Sequence, residues 1–460
     1  AVPNVDWGLQ PSVLEWCLSH HKERPMGADL SQAQVTKLLA ATFAVLPEHR
    51  RGRNCIYALA DGAWAALLVF FSQSRSFLAR RRDARRPNGR ANAASLFGAT
   101  KTPSDPHIRN LLDPLAPEHF YPPFHTILQR LKAGGYLQPY QAFANNLLIG
   151  LDGVHYFSSA EIHCPQCSET THGDQTTYSH VALLPVLVAP DNPQVISLEP
   201  EFITPQDGAT KQDCEQNAIK RWLERHAADF QPFQVTILTD DLHCKQPTCA
   251  LLRRLNLNFI MTCKPDSHTT LYEEVNLQEK LGGVAHVSLR HWNGRFYEHW
   301  QCRYVNQVPL RAGPDALAIN FCEVTITHAG TQELLYHNGF GTNHTLTADT
   351  VKPIIQAGRA RWKTENENHN TLKNHGYHLE HNFGHGQHYL ASVLIVLNVL
   401  AFLLHTVMDL TSEKYRRLRQ ELGTRKTFFD DFRTLTRYSR FTSWDSLLDF
   451  MLNGLDLSPG

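Results

Sequence analysis

The chain has 460 residues, enough for a large core and for roughly two to four structural units, because single hydrophobic cores stop growing near ~250–300 residues. Hydrophobic residues make up 42% and charged residues 19%, which excludes a disordered or fibrous chain. Lys plus Arg and Asp plus Glu both number 44, so no global charge attracts a polyanion and any nucleic-acid surface has to be a local patch.

Ala1 to Gln10 carry no basic stretch followed by an apolar run, so no secretory leader is expected there and the cytoplasm is the expected compartment. Ten cysteines are too dilute for a disulfide scaffold and suit a reducing environment. From Val5 to about Tyr140 the pattern is helical, with Pro and Asp at turn or cap positions in SDPHIRNLLDPLAPEHF. A basic cluster, Arg80, Arg81, Arg82, Arg85, Arg86 and Arg90, ends in Pro87, Asn88 and Gly89. It reads either as a solvated helix end or as a phosphate-contacting patch.

Then the pattern changes. Leu147–Phe157 (LLIGLDGVHYF), His180–Val188 and Val195–Leu198 are short runs rich in Val, Ile and Leu and predict three successive strands. DCEQNAIKRWLERH places Cys214, Ala218 and Trp222 four residues apart beside Ile219, Leu223 and His226, which predicts a helix. A fourth strand, Val235–Leu238, ends in Thr239, Asp240 and Asp241; a short helix around Leu251–Leu255 and a fifth strand, Asn258–Cys263, follow. Three strands, helix, strand, helix, strand is the order of a ribonuclease H-like α/β fold, a hairpin meander followed by parallel crossovers. The resulting division is 1–140 helical, 141–269 first part of the core, 270–347 a β-rich insertion, 348–410 the return of the core, and 411–460 helical. Tyr389–Leu410 approaches the ~20 residues of a membrane span, but Asn398 and His405 interrupt it and favour a buried helix.

Three acids carry the chemistry of this reading. Asp152 lies within an apolar run, where a charge is costly to bury unless paired or bound to a cation. Asp240 follows the fourth strand, at the edge where ligands gather in open α/β sheets, and is preferred to its neighbour Asp241 as nearer the strand. Glu365 falls in ARWKTENENHNTLK, a helical segment after the insertion. Three carboxylates are the ligands expected for two Mg²⁺ (or Mn²⁺) ions, which are hard and take oxygen donors.

Arg361-Trp362-Lys363-Thr364-Glu365 resembles the DDE transposases of bacterial insertion sequences, whose third acid lies in a Tyr-Arg-Glu-Lys signature with Arg four residues before Glu. Two positions depart from it: Gly358 stands where the Tyr would fall, and Lys373 follows Glu365 by eight residues where the family has seven. The resemblance implies a transposase with Asp152, Asp240 and Glu365 as catalytic metal ligands and Arg361 and Lys373 at the DNA backbone. It implies cleavage at transposon terminal inverted repeats, strand transfer into target DNA, and at least two subunits in the complex that joins the ends.

Cys164 and Cys167 in HCPQC, with His180 nearby, have half the spacing of a zinc knuckle and mark a candidate structural zinc site. His375, His378, His381, His385 and His388 crowd one later segment without H-E-x-x-H spacing. They give the runner-up function, a zinc-dependent hydrolase; a catalytically inactive, DNA-binding descendant of a transposase is the other alternative. The basic tail Lys414, Arg416, Arg417, Arg419, Arg425 and Lys426 reads as a solvated helix or an aid to end binding.

Overall fold

The computed structural model describes residues 29–51, 55–205, 212–231 and 233–457. The leader reading at Ala1–Gln10 and the start of the helical region at Val5 lie outside them. Helices α1 (Gln32–Ala44), α2 (Leu59–Phe71), α3 (Phe77–Ala84), α4 (Pro87–Phe97), α5 (Asp105–Leu112) and α6 (Pro122–Ala133) form the first part of the chain. Proline in the first turn starts α4, α5 and α6, where its missing N–H would have had no helical partner. Gly98, at φ +69°, ends α4 in the left-handed conformation that glycine tolerates.

The strands follow: β1 (Asn146–Gly150), β2 (Gly153–Ser159), β3 (Ser168–His172), β4 (Gln175–Leu183), β5 (Val186–Ala189), β6 (Asn192–Ser197) and β7 (Glu201–Ile203). Then come α7 (Glu215–Phe230), β8 (Gln234–Thr239), α8 (Gln246–Arg254), β9 (Asn258–Cys263), α9 (Thr269–Lys280), β10 (Ala285–Trp292), β11 (Tyr297–Pro309), β12 (Ala318–His328) and β13 (Leu334–Thr342). One nine-stranded mixed sheet has the order β10-β11-β12-β13-β9-β8-β1-β5-β6. Within it β1–β5 and β5–β6 are antiparallel, while β1–β8 and β8–β9 are parallel. A second sheet has the order β2-β4-β3, with β7 beside β4.

Two predicted strands are each divided between these sheets. Leu147–Phe157 leaves the large sheet after Gly150 and re-enters the small one at Gly153, so Asp152 lies in the break and not within a strand. His180–Val188 divides likewise between β4 and β5, with Pro185, which has no N–H to donate, at the crossing. Backbone bonds from Leu151 N to Leu238 O (3.0 Å) and from Leu184 N to Asp152 O (3.1 Å) hold the break in place. Apolar residues such as Val154 and Tyr156, or Ala182 and Leu183, continue on the small-sheet side of each break, which hides the division from a composition pattern.

The insertion differs from its prediction in two respects. It opens with a helix, α9, and its strands extend the large sheet through pairing of β13 with β9. After α10 (Val351–Arg359) the chain turns at 360–361, passes through a π-helical turn at Thr364–His369 and continues into α11 (Asn370–Asn374). Gly358 packs so closely that an added Cβ would meet Phe340 at 2.8 Å and Ile260 at 2.9 Å; a tyrosine has no room there.

The apolar helix α12 (Leu390–Thr411) is, among the described residues, the one long and apolar enough to cross a membrane, and 94% of its apolar window is buried within the protein. Each of its two polar interruptions has an internal partner: Asn398 Nδ2 donates to Tyr377 O (2.9 Å), and His405 Nδ1 meets the Tyr377 hydroxyl at 2.5 Å. Helices α13 (Glu413–Leu422), α14 (Arg425–Tyr438) and α15 (Trp444–Gly454) close the chain. They pack back on the first helices, with Asn92 Nδ2 donating to Thr436 O and Ser439 O (both 2.8 Å) and Trp444 Nε1 to Leu96 O (3.1 Å).

The Glu365 segment is fixed to the sheet by Lys363, whose buried ammonium donates to the carbonyls of Ala189 (2.5 Å), Pro190 (2.8 Å) and Asn192 (2.7 Å). Burial lowers the Lys363 pKa, and Asp191 and Glu367 oppose that shift. Lys363→Met should lower stability by about 2–3 kcal/mol, because it leaves carbonyls at the β5–β6 turn without a donor. Chemical denaturation reads this directly, and an unchanged midpoint would contradict the assignment.

Candidate active site

Asp152, Asp240 and Glu365 come from three separate elements. The strand break carries Asp152, the C-terminal end of β8 carries Asp240, and the π-helical turn carries Glu365. Glycines flank Asp152 for a steric reason. A Cβ at Gly150 would collide with Thr364 Oγ1, so the glycine lets the Glu365 segment lie directly on β1. A Cβ at Gly153 would meet Glu215 Oε2 at 2.6 Å, so this glycine admits a fourth carboxylate.

Glu215, in the first turn of α7, is the residue that sequence reasoning missed. Its Oε1 accepts from Gly153 N (3.0 Å) and contacts His243 Nε2 (3.0 Å), whose ring also lies 3.6 Å from Asp240 Oδ1. On the other side, Arg361 Nη1 contacts Glu365 Oε1 at 2.8 Å and Asp152 Oδ2 at 4.0 Å. Arg361 therefore bridges two of the acids, and His243 the other two. The available signal for Glu215 was an acid in the first turn of a strongly amphipathic helix, which ordinarily only complements the helix dipole.

Electrostatics ties the four acids together. Burial raises the Asp152 pKa to about 7; the charges of Glu215, Glu365 and Asp240 add to the rise, while Arg361 opposes it. Burial alone would raise Glu215 too, but its bond to His243 and its further contacts hold it below the ordinary value. His369 Nδ1 lies 3.8 Å from Asp152, and burial followed by the charge of Lys373 lowers its pKa to about 4. His369 is thus neutral at pH 7 and does not compensate the carboxylate.

Asp241 is turned elsewhere. Its Oδ1 accepts from Lys264 N (2.8 Å), its Oδ2 from Ser267 Oγ (2.5 Å), and His268 lies 3.1 Å away. The π-helical turn also alters the position of Lys373. At 3.6 residues per turn its eight-residue offset from Glu365 corresponds to about 80°, but one π-bulge absorbs an extra residue, roughly 100°, and returns Lys373 toward the Glu365 face. Its ammonium pairs with Glu380 at 2.7 Å.

The other basic residues singled out lie in or beside the helices of the first and last parts of the chain. Arg82, Arg85, Arg86 and Arg90 are exposed, whereas Arg80 and Arg81 are half-buried with partnerless Nε atoms. In the tail, Arg425 is internal, bonded to Asp409 (2.7 Å) and the Tyr377 hydroxyl (3.1 Å), and Lys414 pairs with Asp449 (2.8 Å). Those two residues therefore serve the packing of the helices.

No protein-family model matches this chain, and no curated protein matches it in sequence.

Two groups of side chains among the described residues bring three or more potential ligand atoms within 4.8 Å of one another, and both are buried Cys/His clusters able to bind a metal such as zinc. The first joins the predicted Cys164, Cys167 and His180 to His385; the second is Cys244, Cys263 and His268. In the second, His268 is already committed, with Nε2 at 2.7 Å from Cys244 O and Nδ1 beside Asp241. His385 alone of the five clustered histidines joins such a group. The carboxylates are more widely spread, with Arg361 and His243 bridging them.

A folded pKa near 7 against an ordinary value of 3.8 means that native Asp152 holds a proton the unfolded chain has released. Without divalent metal, stability should therefore fall as pH rises from about 4 to about 7. Asp152→Asn should flatten that slope in thermal denaturation with chelator present; an unchanged slope would contradict the burial of this charge among like charges.

Proposed function

We propose that the chain is a DDE-type transposase that cleaves DNA at the ends of a mobile element and transfers the freed strand into target DNA. The observation that carries this reading is the electrostatic coupling of Asp152 to Asp240, Glu365 and Glu215 beside the ends of the parallel strands β1 and β8. The strand order β6-β5-β1-β8-β9, an antiparallel meander followed by two parallel neighbours, is the one expected of a ribonuclease H-like core and supports the same reading. So does the pairing of Arg361 with Glu365 across one helical turn.

On this reading Asp152, Asp240 and Glu365 would hold Mg²⁺, with Glu215 as an additional ligand or as the partner that orients His243. Two such ions supply activation of the attacking oxygen and stabilisation of the leaving oxygen in an in-line displacement at phosphorus. The donors are all oxygens, as a hard cation requires, and their mutual repulsion gives the site a need for positive charge. Arg361, which contacts Glu365 at 2.8 Å, has the guanidinium geometry that would form charge-assisted bonds to a DNA phosphate if Glu365 held a cation. Trp362 is 47% exposed next to it and offers a ring on which an unpaired base can stack. Lys373 and the exposed arginines Arg82, Arg85 and Arg86 are further backbone contacts. Two element ends joined in one complex call for at least two copies of the chain.

The test is incubation of the purified protein with labelled DNA from the flanks of its gene and Mg²⁺. Wild type should cut at the element boundary and leave a 3′-hydroxyl. Asp152→Asn, Asp240→Asn and Glu365→Gln should each slow cleavage by about a thousandfold while end binding stays near wild type. Glu215→Gln should shift the acidic limb of the rate profile to lower pH, because it removes a charge that raises the Asp152 pKa. Cleavage that persists in all three acid variants would refute the proposal.

A further inference from the structure

We propose that Cys164, Cys167, His180 and His385 form a closed structural zinc(II) site that clips the small sheet to the segment linking the Glu365 helix with α12. All four side chains are buried. Cys164 Sγ and Cys167 Sγ lie 3.9 Å apart, and His180 Nε2 lies 3.6 Å from the first and 3.4 Å from the second. His385 Nε2 lies 3.4 Å from Cys167 Sγ and 3.0 Å from His180 Nε2.

A tetrahedron with Zn–S near 2.3 Å and Zn–N near 2.05 Å has edges of about 3.8 Å for S···S, about 3.6 Å for S···N and about 3.3 Å for N···N. The observed separations follow this order and these magnitudes. A disulfide is excluded, because its sulfurs would lie near ~2.05 Å. Two thiols and two imidazoles suit a borderline-soft tetrahedral ion in preference to Mg²⁺ or Ca²⁺. With all four positions filled by protein, none is left for a water or substrate, which makes the site structural.

The surroundings fit this assignment. The Cys164–Cys167 turn is closed by a bond from Cys167 N to Cys164 O (3.0 Å), which brings both thiols to one side. His385 Nδ1 faces Gly386 O at 3.1 Å, which fixes the tautomer that presents Nε2 to a metal. His180 stacks on Tyr156 with ring centroids 5.6 Å apart.

The site joins residues 218 positions apart in sequence. The same segment is held from its other side by the first helices. Arg109 Nε donates to Phe383 O (2.9 Å), and Asp113 Oδ1 accepts from the backbone N–H groups of Gln387 (3.1 Å), His388 (3.0 Å) and Leu390 (3.2 Å). Zinc would thus lock together the helical region, the sheet that begins next to Asp152, and the chain that leaves Glu365.

The experiment is metal analysis of the full-length protein incubated with Zn(II) and desalted, together with visible absorption after cobalt(II) substitution. Expected are one zinc per chain and the absorption of tetrahedral cobalt with thiolate ligands. Both should be lost in the Cys164→Ser/Cys167→Ser double variant and retained in His385→Cys, which keeps a ligand at that position. Melting temperature should fall on zinc-selective chelation and recover on zinc addition. A wild-type protein that holds no zinc, or a double variant that holds as much as wild type, would overturn the assignment. Neither result bears on the carboxylate site, whose residues are separate.

Discussion

The arrangement at the centre of this protein depends on one unfavourable interaction, the partial burial of Asp152 near three other carboxylates. Gly150 and Gly153 remove the side chains that would keep Thr364 and Glu215 away, so the backbone forces the acids together. Burial first, and then the charges of Glu215, Glu365 and Asp240, raise the Asp152 pKa to about 7, and Arg361 offsets them only in part. Repulsion of this kind persists in a fold only when the scaffold over-determines it, and groups with strongly shifted pKa values concentrate at functional sites. The local π-helical turn at Thr364–His369 points the same way, since such turns occur frequently where function constrains a helix.

The scaffold supplies that rigidity through buried polar anchors. Lys363 ties the Glu365 segment to the β5–β6 turn, and the Leu151 and Leu184 amides fix the strand break on both sides. Asp113 and Arg109 hold the segment that follows, with the Cys/His cluster opposite. The buried helix α12 then carries the chain between the helices at its two ends. Acids contributed by distant parts of the sequence are thereby held by contacts that lie largely outside the site.

Much of this was legible in the residues. Strands β8 and β9 and helix α7 stand close to where short apolar runs, turn residues and the four-residue stripe put them, because the strands are buried on both faces and the helix on one. The break at Asp152 was not legible, since apolar residues continue on both sides of it and only the paired glycines mark it. Helix α9 was hidden for a related reason: TTLYEEVNLQEK buries only Leu271, Tyr272 and Val275, too few for a clear periodic stripe. Glu215 and His385 gain their significance from partners far away in sequence, which no local spacing encodes. Lys373 shows the same limit on a smaller scale, because its offset from Glu365 has meaning only once the helix is known to contain a π-turn.

The most direct measurement is the anomalous difference density of crystals grown with Mn²⁺, alone and with bound DNA. The account predicts manganese ligated by Asp152, Asp240 and Glu365, with the Arg361 guanidinium displaced from Glu365. Crystals in which manganese stays away from these carboxylates, while Arg361 still pairs with Glu365 and Asp152 remains protonated near neutral pH, would contradict it.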